Sequence, residues 1–448
     1  MLPAWLQSVL NHTVIREAPR LYAWNLSNLE GQSQPFSSPA SGRPSELTSY
    51  HRQGNRLRRV YILGVGNLGT LFASSLASLP EPPPITLVVH RKDLLQSWSQ
   101  QPGIEITRRG IIHKYLDFDI EMWSEEPPST GLMREVADGQ EICNLIVATK
   151  ASQALPEVDR IRRYLNENST IAFAQNGMCK LWPPHGKTYA KSRYLGASHP
   201  NWLACVTTHG VTSLGRFKSF HASEANLKIG PVLSNEFPEK AAHLSDVLCR
   251  APNLHGQKVT QDELWILQLE KLVVNSIINP LTAILHCKNG DLFLEKEGGL
   301  AELINVLLLE ASNVLQALIK DQSTDTIMRP LSREATSTIK EELDHNMHQR
   351  RKLLHRFSQP QLKEMLYSVG DKVRDNTSSM LQDVRAGKRT EIDEFNGWLV
   401  DTATYLNGNL DVIHHRILID LVRDGKVLDK ESLVNRFPFW KGSKSTAV

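Results

Sequence analysis

The stretch ELWILQLEKLVVNSIINPLTAILHCKNG, residues 263–290, decides how the rest of the chain is interpreted. Its apolar residues recur so densely that almost no side of a helix would face solvent, which predicts a buried helix. Lys271, Asn275 and Asn279 interrupt the pattern at intervals of four, so they share one narrow stripe. An unpaired polar group in an apolar setting costs roughly 1–3 kcal/mol, so this stripe requires partners, either protein groups or a ligand.

Pro280 adds a bend to this stripe. Because proline has no N–H, the carbonyl of Ser276 loses its helical partner and the helix is predicted to kink. A satisfied internal network would explain any single buried asparagine. Three polar residues in register, one of them a lysine, favour the wall of a ligand-binding cleft instead.

Length and composition place the chain among ordinary globular proteins. Its 448 residues give room for two domains and an extension, with 41% apolar and 22% charged residues. The formal net charge of +3 gives no argument for nucleic acid as a partner. No run of 18 or more apolar residues occurs, so no membrane span is expected.

The five cysteines suggest neither a disulfide framework nor a metal site. Their number is odd, and the sequence has no CxxC pair and no zinc-type spacing of Cys and His. This usage favours a reducing compartment, no bound metal, and cysteines that serve as small buried side chains.

Residues 1–57 are predicted to be a disordered or targeting extension. The segment has eight serines, five arginines, no lysine and only three acidic residues, after an apolar stripe in its first turns. This composition is typical of a mitochondrial transit peptide, although no arginine precedes Arg16. A disordered tail without an address is the alternative. The predicted location is therefore mitochondrial or cytoplasmic, and not secreted.

A nucleotide-binding domain is predicted over residues 58–260. The apolar strand 59–63 leads directly into GVGNLG at 64–69, and a helix of small and apolar residues follows. GxGxxG alone is weak evidence, but between a strand and a helix start it has the context that dinucleotide binding requires. Its glycines allow a tight turn and a close approach of pyrophosphate to the free N–H groups of the helix.

Arg91 indicates which nicotinamide cofactor is preferred. NAD enzymes usually end the second strand with an acidic residue that binds the ribose 2′-hydroxyl. Here the strand 85–89 is followed by His90 and Arg91. A guanidinium suits a 2′-phosphate, which favours NADP over NAD, whereas a solvated surface arginine is the ordinary alternative.

Two further polar residues follow predicted strands. Lys150 comes just after the strand 142–148, and Asn176 comes after the strand 170–174. Open α/β sheets bind ligands at the carboxyl ends of their strands, so the pair favours a cleft over a solvated lysine and a plain Asn-Gly turn. The rest of the chain, residues 261–448, is predicted to be helical, with a polar insertion at about 321–359.

These motifs together resemble the ketopantoate reductase (2-dehydropantoate 2-reductase) family. The resemblance runs from about residue 58 to 422 and includes GVGNLG, QNGM at 175–178, TTHG at 207–210 and KLVVNSIINPLTA at 271–283. NG at 289–290, SSMLQD at 378–383 and TEID at 390–393 also match. The lysine-asparagine helix with SSMLQD and TEID behind it is specific, whereas GxGxxG is shared by many folds.

The resemblance implies an α/β fold, with an N-terminal Rossmann-type doubly wound domain followed by an all-helical C-terminal domain and a site in the cleft between them. It implies NADPH-dependent reduction of 2-dehydropantoate to pantoate, in pantothenate and coenzyme A biosynthesis, with Lys271 as proton donor. Substrate contacts are implied for Asn176, Asn275, Asn279, Asn289 and Ser379. Cofactor contacts are implied for Gly64, Val65, Gly66, Asn67, Leu68, Gly69, Arg91, Lys150, Asn176, Val211 and Glu391.

The chemistry of these side chains agrees with the implied roles. Hydride delivery to a keto carbon builds negative charge on the oxygen, which a nearby lysine can stabilise and protonate. Two alternatives remain: a reductase of another 2-keto acid, and a non-catalytic NADP-binding redox sensor. A small-molecule substrate and a monomer or homodimer are expected.

Overall fold

The computed structural model describes residues 3–11, 18–29, 56–196, 198–328, 339–406 and 409–438. The chain divides into two compact units, Ala4–Trp265 and Ile266–Val448. The first unit is mixed α/β and carries every strand among the described residues, while the second is helical there. The predicted fold class is confirmed.

Thirteen strands form two sheets in the described part of the first unit. In chain order they are β1 (Tyr22–Trp24), β2 (Val60–Leu63), β3 (Ile85–Val89), β4 (Ile104–Arg108), β5 (Ile111–Tyr115), β6 (Asp119–Ser124), β7 (Asn144–Val147), β8 (Thr170–Phe173), β9 (Asn201–Thr207), β10 (Gly210–Gly215), β11 (Lys218–Ser223), β12 (Leu227–Leu233) and β13 (Gly256–Lys258). The large sheet has the order β1-β6-β3-β2-β7-β8-β9-β12-β13, and the small one the order β10-β11-β4-β5.

The centre of the large sheet has dinucleotide-binding topology. Strands β6, β3, β2, β7, β8 and β9 are mutually parallel neighbours, which is the order 3-2-1-4-5-6 of a Rossmann domain. Every residue of β2, β3, β7 and β8 is buried, as expected when helices cover both faces of a parallel sheet. The order reverses between β2 and β7, where such sheets bind their ligands.

The helices of the first unit lie between these strands in the chain, except for the first, which precedes β1. They are Ala4–Asn11, Asn67–Ala77, Lys92–Gln100, Ala151–Arg160, Gly186–Arg193 and Ala242–Arg250. Asn67–Ala77 is almost wholly buried, because its small residues Ala73, Ser74 and Ser75 allow close packing on the sheet.

Residues 3–11 and 18–29 are ordered, so the disordered alternative predicted for residues 1–57 does not hold for this described part, while the targeting alternative stays a prediction. Strand β1 extends the large sheet by pairing antiparallel with β6, with Tyr22 opposite Ser124 and Trp24 opposite Met122. The side chains of Leu21 and Leu6 are completely buried. A three-residue strand is too short to show a period in the sequence, so composition was misleading here. Residues 30–55 lie outside the described residues, and the compartment stays a prediction.

The second unit is built from helices around the stretch that opened the sequence analysis. Its helices are Gln261–Leu285, Gly299–Lys320, Asp325–Met328, Ile339–Arg356, Gln359–Lys372, Ser379–Arg385, Ile392–Tyr405, Ile413–Arg423 and Lys430–Val434. The first of these begins just before the boundary between the units and ends at Leu285, five residues earlier than predicted. His286 has a positive φ of 52°, and a short 3-10 helix, Asn289–Phe293, follows.

The segment 321–359 is more ordered than a solvated polar insertion. It contains the helix Ile339–Arg356, whose Leu353 is buried, and Phe357 is completely buried just beyond it. Ser312 donates a hydrogen bond of 2.8 Å to the carbonyl of Phe357, which attaches the segment to the core helix Gly299–Lys320. The apolar residues of this helix are widely spaced in a charged sequence, so no helical pattern was recognised there. Residues 329–338 lie outside the described residues.

The core helix Gly299–Lys320 is the one helix among the described residues that is long and apolar enough to cross a membrane. Length and composition alone give this result, and a buried helix in a protein core has the same features. Leu303, Leu307 and Val314 are all completely buried within the protein.

Candidate active site

The glycine-rich loop has the geometry that a bound pyrophosphate needs. Gly64 has a φ of +94°, and a Cβ there would lie 3.0 Å from the backbone of Thr149. A Cβ on Gly69 would lie 2.0 Å from the carbonyl oxygen of Gly64, so the helix can approach the strand only without a side chain at 69. Around Gly66 there is open space, with nothing within 4 Å of a Cβ. Gly64 and Gly69 thus make close backbone contacts that exclude a side chain, while the space at Gly66 stays open to a ligand.

The helix after this loop begins with unsatisfied N–H groups. Gly66 is its N-cap and provides no side-chain hydrogen bond, so the first turn is available to an anion. Asn67 donates a hydrogen bond of 3.0 Å to the carbonyl of Val211, which fixes the first turn against β10. Leu68 and Val65 are partly buried and pack on the apolar core of the unit. These residues fit a dinucleotide phosphate.

Arg91 lies where a ribose 2′-substituent is expected. It follows β3 and is the N-cap of the helix Lys92–Gln100, with 58% of its side chain exposed. Its Nε is 3.4 Å from a carboxylate oxygen of Asp93, which also pairs with Arg216 at 2.8 Å. An exposed ion pair of this kind contributes little stability, so the guanidinium can turn to a phosphate at low cost.

Lys150 and Asn176 follow adjacent parallel strands. Lys150 is the N-cap of the helix Ala151–Arg160 after β7, and Asn176 follows β8 at a turn where Gly177 has a φ of +83°. The sheet therefore brings both side chains to its carboxyl edge, beside the strand that carries the glycine-rich loop. Their assignment to the cofactor side stays a prediction.

A buried chain of hydrogen bonds behind the loop was not predicted. Arg108 Nη2 donates to the hydroxyl of Ser74 at 2.8 Å, and its Nε contacts His221 Nδ1 at 3.4 Å. His221 Nε2 lies 3.0 Å from His209 Nδ1, and His209 Nε2 lies 3.2 Å from the carbonyl of Leu254. Burial lowers the pKa of His221 to about 4 and also lowers the pKa of His209, so both rings serve as neutral links. The chain joins the small sheet to the helix of the glycine-rich loop.

In the helical unit, Lys271 has the electrostatic character of an acid that works near neutral pH. Its side chain is only partly accessible to solvent, and burial lowers its pKa to about 8, while the nearby carboxylate of Glu391 acts in the opposite direction. A lysine with an ordinary pKa would hold its proton too tightly for efficient transfer at neutral pH. Glu391, which the resemblance assigns to the cofactor side, is thus at least an electrostatic neighbour of the lysine.

The two asparagines of the stripe are available to a ligand. Asn279 is 6% exposed and Asn275 is half-buried, and neither amide has a hydrogen-bond partner among the described residues. Neither side chain is among the buried polar atoms that lack a partner, so both amides keep contact with solvent that a bound ligand would displace. This geometry argues against a satisfied internal network at these two positions and for a polar ligand.

The carbonyl that Pro280 deprives of its partner is satisfied from another helix. Asn396 Nδ2 donates to the carbonyl oxygen of Ser276 at 2.9 Å and contacts His415 Nδ1, also at 2.9 Å. His415 Nε2 in turn lies 3.1 Å from the carbonyl of Leu307. Burial lowers the pKa of His415 to about 4, so the ring is neutral. A fixed polar network therefore supports the helix where Pro280 interrupts its hydrogen bonding, which keeps the stripe in place.

Asn289 and the SSMLQD motif lie next to the same helix. Asn289 Nδ2 donates to the carbonyl of Val373 at 3.3 Å, while its Oδ1 is buried without a hydrogen-bond partner. Ser378 caps the helix Ser379–Arg385 and accepts a hydrogen bond of 2.7 Å from Thr282. Ser379 is exposed at the first turn of that helix. The fold of this unit accordingly gathers motifs that are about one hundred residues apart in sequence.

The two units define a class of enzyme. A Rossmann unit with a cofactor-type glycine loop, followed by a helical unit with a lysine of lowered pKa and unpaired amides, is the arrangement of a nicotinamide-dependent oxidoreductase. The chain belongs to the ketopantoate reductase family. Residues 60–234 match the family described as ketopantoate reductase PanE/ApbA, and residues 264–426 match its C-terminal domain.

Similar proteins are named for the reduction of one of two 2-keto acids. A ketoisovalerate reductase of Beauveria bassiana is 40% identical over 97% of this chain and 98% of its own length. Ketoisovalerate reductase BEA2 of Gibberella fujikuroi is also 40% identical, over 96% of this chain and 98% of its own. A probable 2-dehydropantoate 2-reductase of Schizosaccharomyces pombe is 29% identical over 77% of this chain and 90% of its own.

Solved structures share the fold at low sequence identity. A probable 2-dehydropantoate 2-reductase from Bacillus subtilis aligns over 82% of this chain and all of its own, with a TM-score of 0.53 and 19% identity. D-mandelate dehydrogenase, solved with NADH and anilino(oxo)acetate, aligns over 84% of this chain and 99% of its own, with a TM-score of 0.55 and 16% identity. These likenesses support the fold alone.

Proposed function

We propose that this protein is an NADPH-dependent reductase of a branched-chain 2-keto acid, with ketoisovalerate as the first candidate substrate. The observation that carries the proposed chemistry is Lys271, whose pKa is lowered to about 8, on one helix with the unpaired amides of Asn275 and Asn279. The proposed substrate follows from relatives of 40% identity that match nearly the whole chain and are named ketoisovalerate reductases.

Each candidate site residue has a separate proposed role in such a reaction. The cofactor supplies a hydride to the keto carbon, which leaves negative charge on the keto oxygen. Lys271 stabilises that charge and then donates its proton, so the product is a 2-hydroxy acid. Asn275, Asn279, Asn289 and Ser379 are proposed to bind the carboxylate and the keto group, with Asn176 at the cofactor. Their amides and hydroxyl orient the keto carbon.

2-Dehydropantoate is the second candidate substrate. It differs from ketoisovalerate by a hydroxymethyl group on the branched carbon, and the Schizosaccharomyces pombe relative carries its name. A site that hydrogen-bonds this hydroxyl would reject ketoisovalerate strongly, whereas an apolar pocket shaped for the isopropyl group would reject the larger hydroxymethyl substituent by its size. The role in pantothenate and coenzyme A biosynthesis depends on this outcome.

A substrate panel tests the proposal directly. Purified full-length protein should oxidise NADPH with ketoisovalerate at a kcat/KM well above that with 2-dehydropantoate, pyruvate and 2-ketobutyrate. A reversed order for the first two compounds would establish the second candidate. Binding of NADPH without turnover of any 2-keto acid would favour the non-catalytic redox sensor.

Arg91→Ala should change the cofactor preference. Loss of one charge-assisted contact to the 2′-phosphate should weaken NADPH by roughly 1.5–3 kcal/mol, while NADH should be nearly unaffected. The measurement is the KM of each cofactor at saturating substrate. Arg109→Ala is the matched control, because Arg109 is 81% exposed and paired with Glu224 at 2.9 Å in the same unit. An equal loss for both cofactors would disprove the 2′-phosphate assignment.

The pH dependence of the reaction should report Lys271. Because the acid must be protonated, kcat/KM is expected to be flat below the lysine's pKa of about 8 and to fall as pH rises through it. Glu391 raises this pKa, so Glu391→Gln should move the descending limb to lower pH. Asp371→Gln, an exposed acid on another helix, should leave the limb in place. A limb that does not move in Glu391→Gln would exclude this coupling.

A further inference from the structure

A cavity in the Rossmann unit lies away from the glycine-rich loop. It has a volume of about 370 Å³ and is lined by residues near the amino-terminal ends of β2, β3 and β6. The glycine-rich loop leaves the carboxyl end of β2, so the same strand separates the two places. A cavity of this size suits a small molecule.

One row of side chains forms its floor. Tyr61 on β2 is the register partner of Thr86 on β3, and Thr86 is the partner of Asp119 on β6. Register partners in a parallel sheet point to the same face, so all three side chains line the cavity together. Arg59 reaches across the row, donating to Thr86 Oγ1 at 2.7 Å and to Asp119.

Several hydrogen-bond donors around the cavity are unused. Tyr61 is 8% exposed, and its hydroxyl has no hydrogen-bond partner among the described residues. Arg134 Nε is buried without a hydrogen bond, since the nearest carboxylate oxygen, on Asp138, is 3.7 Å away. Arg59 uses only Nη1 in the contacts described above. A buried donor without a partner is destabilising, and a ligand acceptor would satisfy it.

Two of the three acidic side chains that line the cavity, Glu121 and Asp119, already form ion pairs with arginines. Glu121 is 4% exposed, accepts a hydrogen bond of 2.9 Å from Trp123 Nε1, and pairs with Arg134. Asp119 pairs with Arg59. The third acid, Asp138, is 72% exposed and lies at the rim. The capacity that remains inside the cavity therefore belongs to donors, which suit an anionic acceptor.

An apolar wall completes the cavity. The rings of Trp98 and Phe118 pack edge to face, with centroids 6.2 Å apart, and both line the space. Asn25 and Leu26, which belong to the amino-terminal segment that follows β1, also line the cavity. A ligand here would contact guanidinium and phenol groups with one end and aromatic rings with the other.

We propose that this cavity binds a small organic carboxylate with a short apolar or aromatic body. The carboxylate is held by Tyr61, Arg59 and Arg134, and the body rests on Trp98 and Phe118. Because the segment with Asn25 and Leu26 forms one wall, binding also stabilises that segment against the sheet. The site is independent of the reductase active site and of its substrate.

Calorimetry with simple probes tests this site on the full-length protein saturated with NADPH. Phenylacetate and isovalerate should bind, whereas phenylacetamide, which has the same body without the charge, should not. Tyr61→Phe should weaken phenylacetate about tenfold or more, because it removes one hydrogen bond to a charged group. It should leave folding and kcat unchanged, since the lost hydroxyl has no protein partner. Tyr115→Phe is the matched control, with a hydroxyl that contacts Ser78 at 2.7 Å outside the cavity.

Hydrogen exchange locates the bound probe. Phenylacetate should slow amide exchange in residues 18–29 and 118–138, and this protection should be absent in Tyr61→Phe. The proposal is overturned if no carboxylate binds up to its solubility limit, or if phenylacetamide binds as tightly. Equal binding by Tyr61→Phe, or protection confined to residues 271–290, would overturn it as well, since the probe would then occupy the substrate site.

Discussion

Replacing Lys271 by methionine is expected to lower turnover of the 2-keto acid by roughly 10²–10⁴-fold, the usual contribution of a positioned general acid. Methionine keeps the apolar stem and removes the charge. The nearby carboxylate of Glu391 favours the ammonium, but burial outweighs it and lowers the pKa of Lys271 to about 8, so the protein holds the charged form at some cost. Its loss should therefore not unfold the protein.

The kinetic pattern distinguishes catalysis from support of the fold. The contact to the substrate oxygen strengthens as negative charge develops, so kcat as well as kcat/KM should fall in Lys271→Met. Binding of NADPH, measured by fluorescence titration, should be retained, because the glycine-rich loop belongs to the first unit. The thermal midpoint of the variant shows whether the protein that is assayed is folded.

Asn275→Ala provides the contrast within the same stripe. An amide that holds the substrate equally in the ground state and the transition state should act mainly through the KM of the keto acid. A folded Lys271→Met protein with near-normal kcat would overturn the proposed mechanism. If Lys271 merely satisfied an internal network, the variant would lose stability while the surviving folded protein kept its turnover.

Local patterns predicted those parts of the site that depend on local chemistry. The GxGxxG spacing predicted a turn, and the structure shows its physical reason in the 2.0 Å approach that a Cβ on Gly69 would make. Pro280 predicted a carbonyl without a helical partner at Ser276. The side chain that satisfies that carbonyl was not predictable, since Asn396 is 120 residues away in sequence.

Distant pairing explains most of what the sequence did not reveal. Arg108 lies on β4, His221 on β11 and His209 in the turn between β9 and β10, and no spacing in the chain indicates that they form one buried chain. The sequence motifs also could not distinguish 2-dehydropantoate from ketoisovalerate, because the hydroxymethyl group by which they differ is recognised by the shape of a pocket. The motif resemblance favoured 2-dehydropantoate, whereas the relatives at 40% identity are named for ketoisovalerate.

The amino-terminal segment shows a third limit of sequence patterns. Its composition is that of a tail, yet Leu21 N–H donates to the hydroxyl of the buried Tyr164 at 2.8 Å. Asn28 Nδ2 donates to the carbonyls of Thr130 and Leu132, at 2.7 and 3.0 Å. These contacts depend on Tyr164 and on the segment around Thr130 and Leu132, which reach the amino-terminal segment only after folding. The segment is consequently an edge of the Rossmann sheet, and the sheet should depend on it.

A chain that begins at Arg56 should be markedly less stable than the full-length protein. Leu21 is completely buried and Leu29 is 6% exposed, and burial of each such side chain is worth about 1.5–3 kcal/mol. Their loss, with an unpaired β6 edge, would remove a large part of a typical stability of roughly 5–15 kcal/mol.

Urea unfolding of the first unit, followed by tryptophan fluorescence, measures this loss. Leu21→Ala alone should cost about 2–5 kcal/mol, because it leaves a cavity in the core. Leu57→Ala is the matched control: this leucine is 51% exposed, and its substitution should stay within about 0.5 kcal/mol. An unchanged urea midpoint in both the shortened chain and Leu21→Ala would mean that β1 contributes no stability and that the sheet ends at β6. A lowered midpoint in both would establish the segment as part of the fold, because the single substitution removes packing without removing any of the chain.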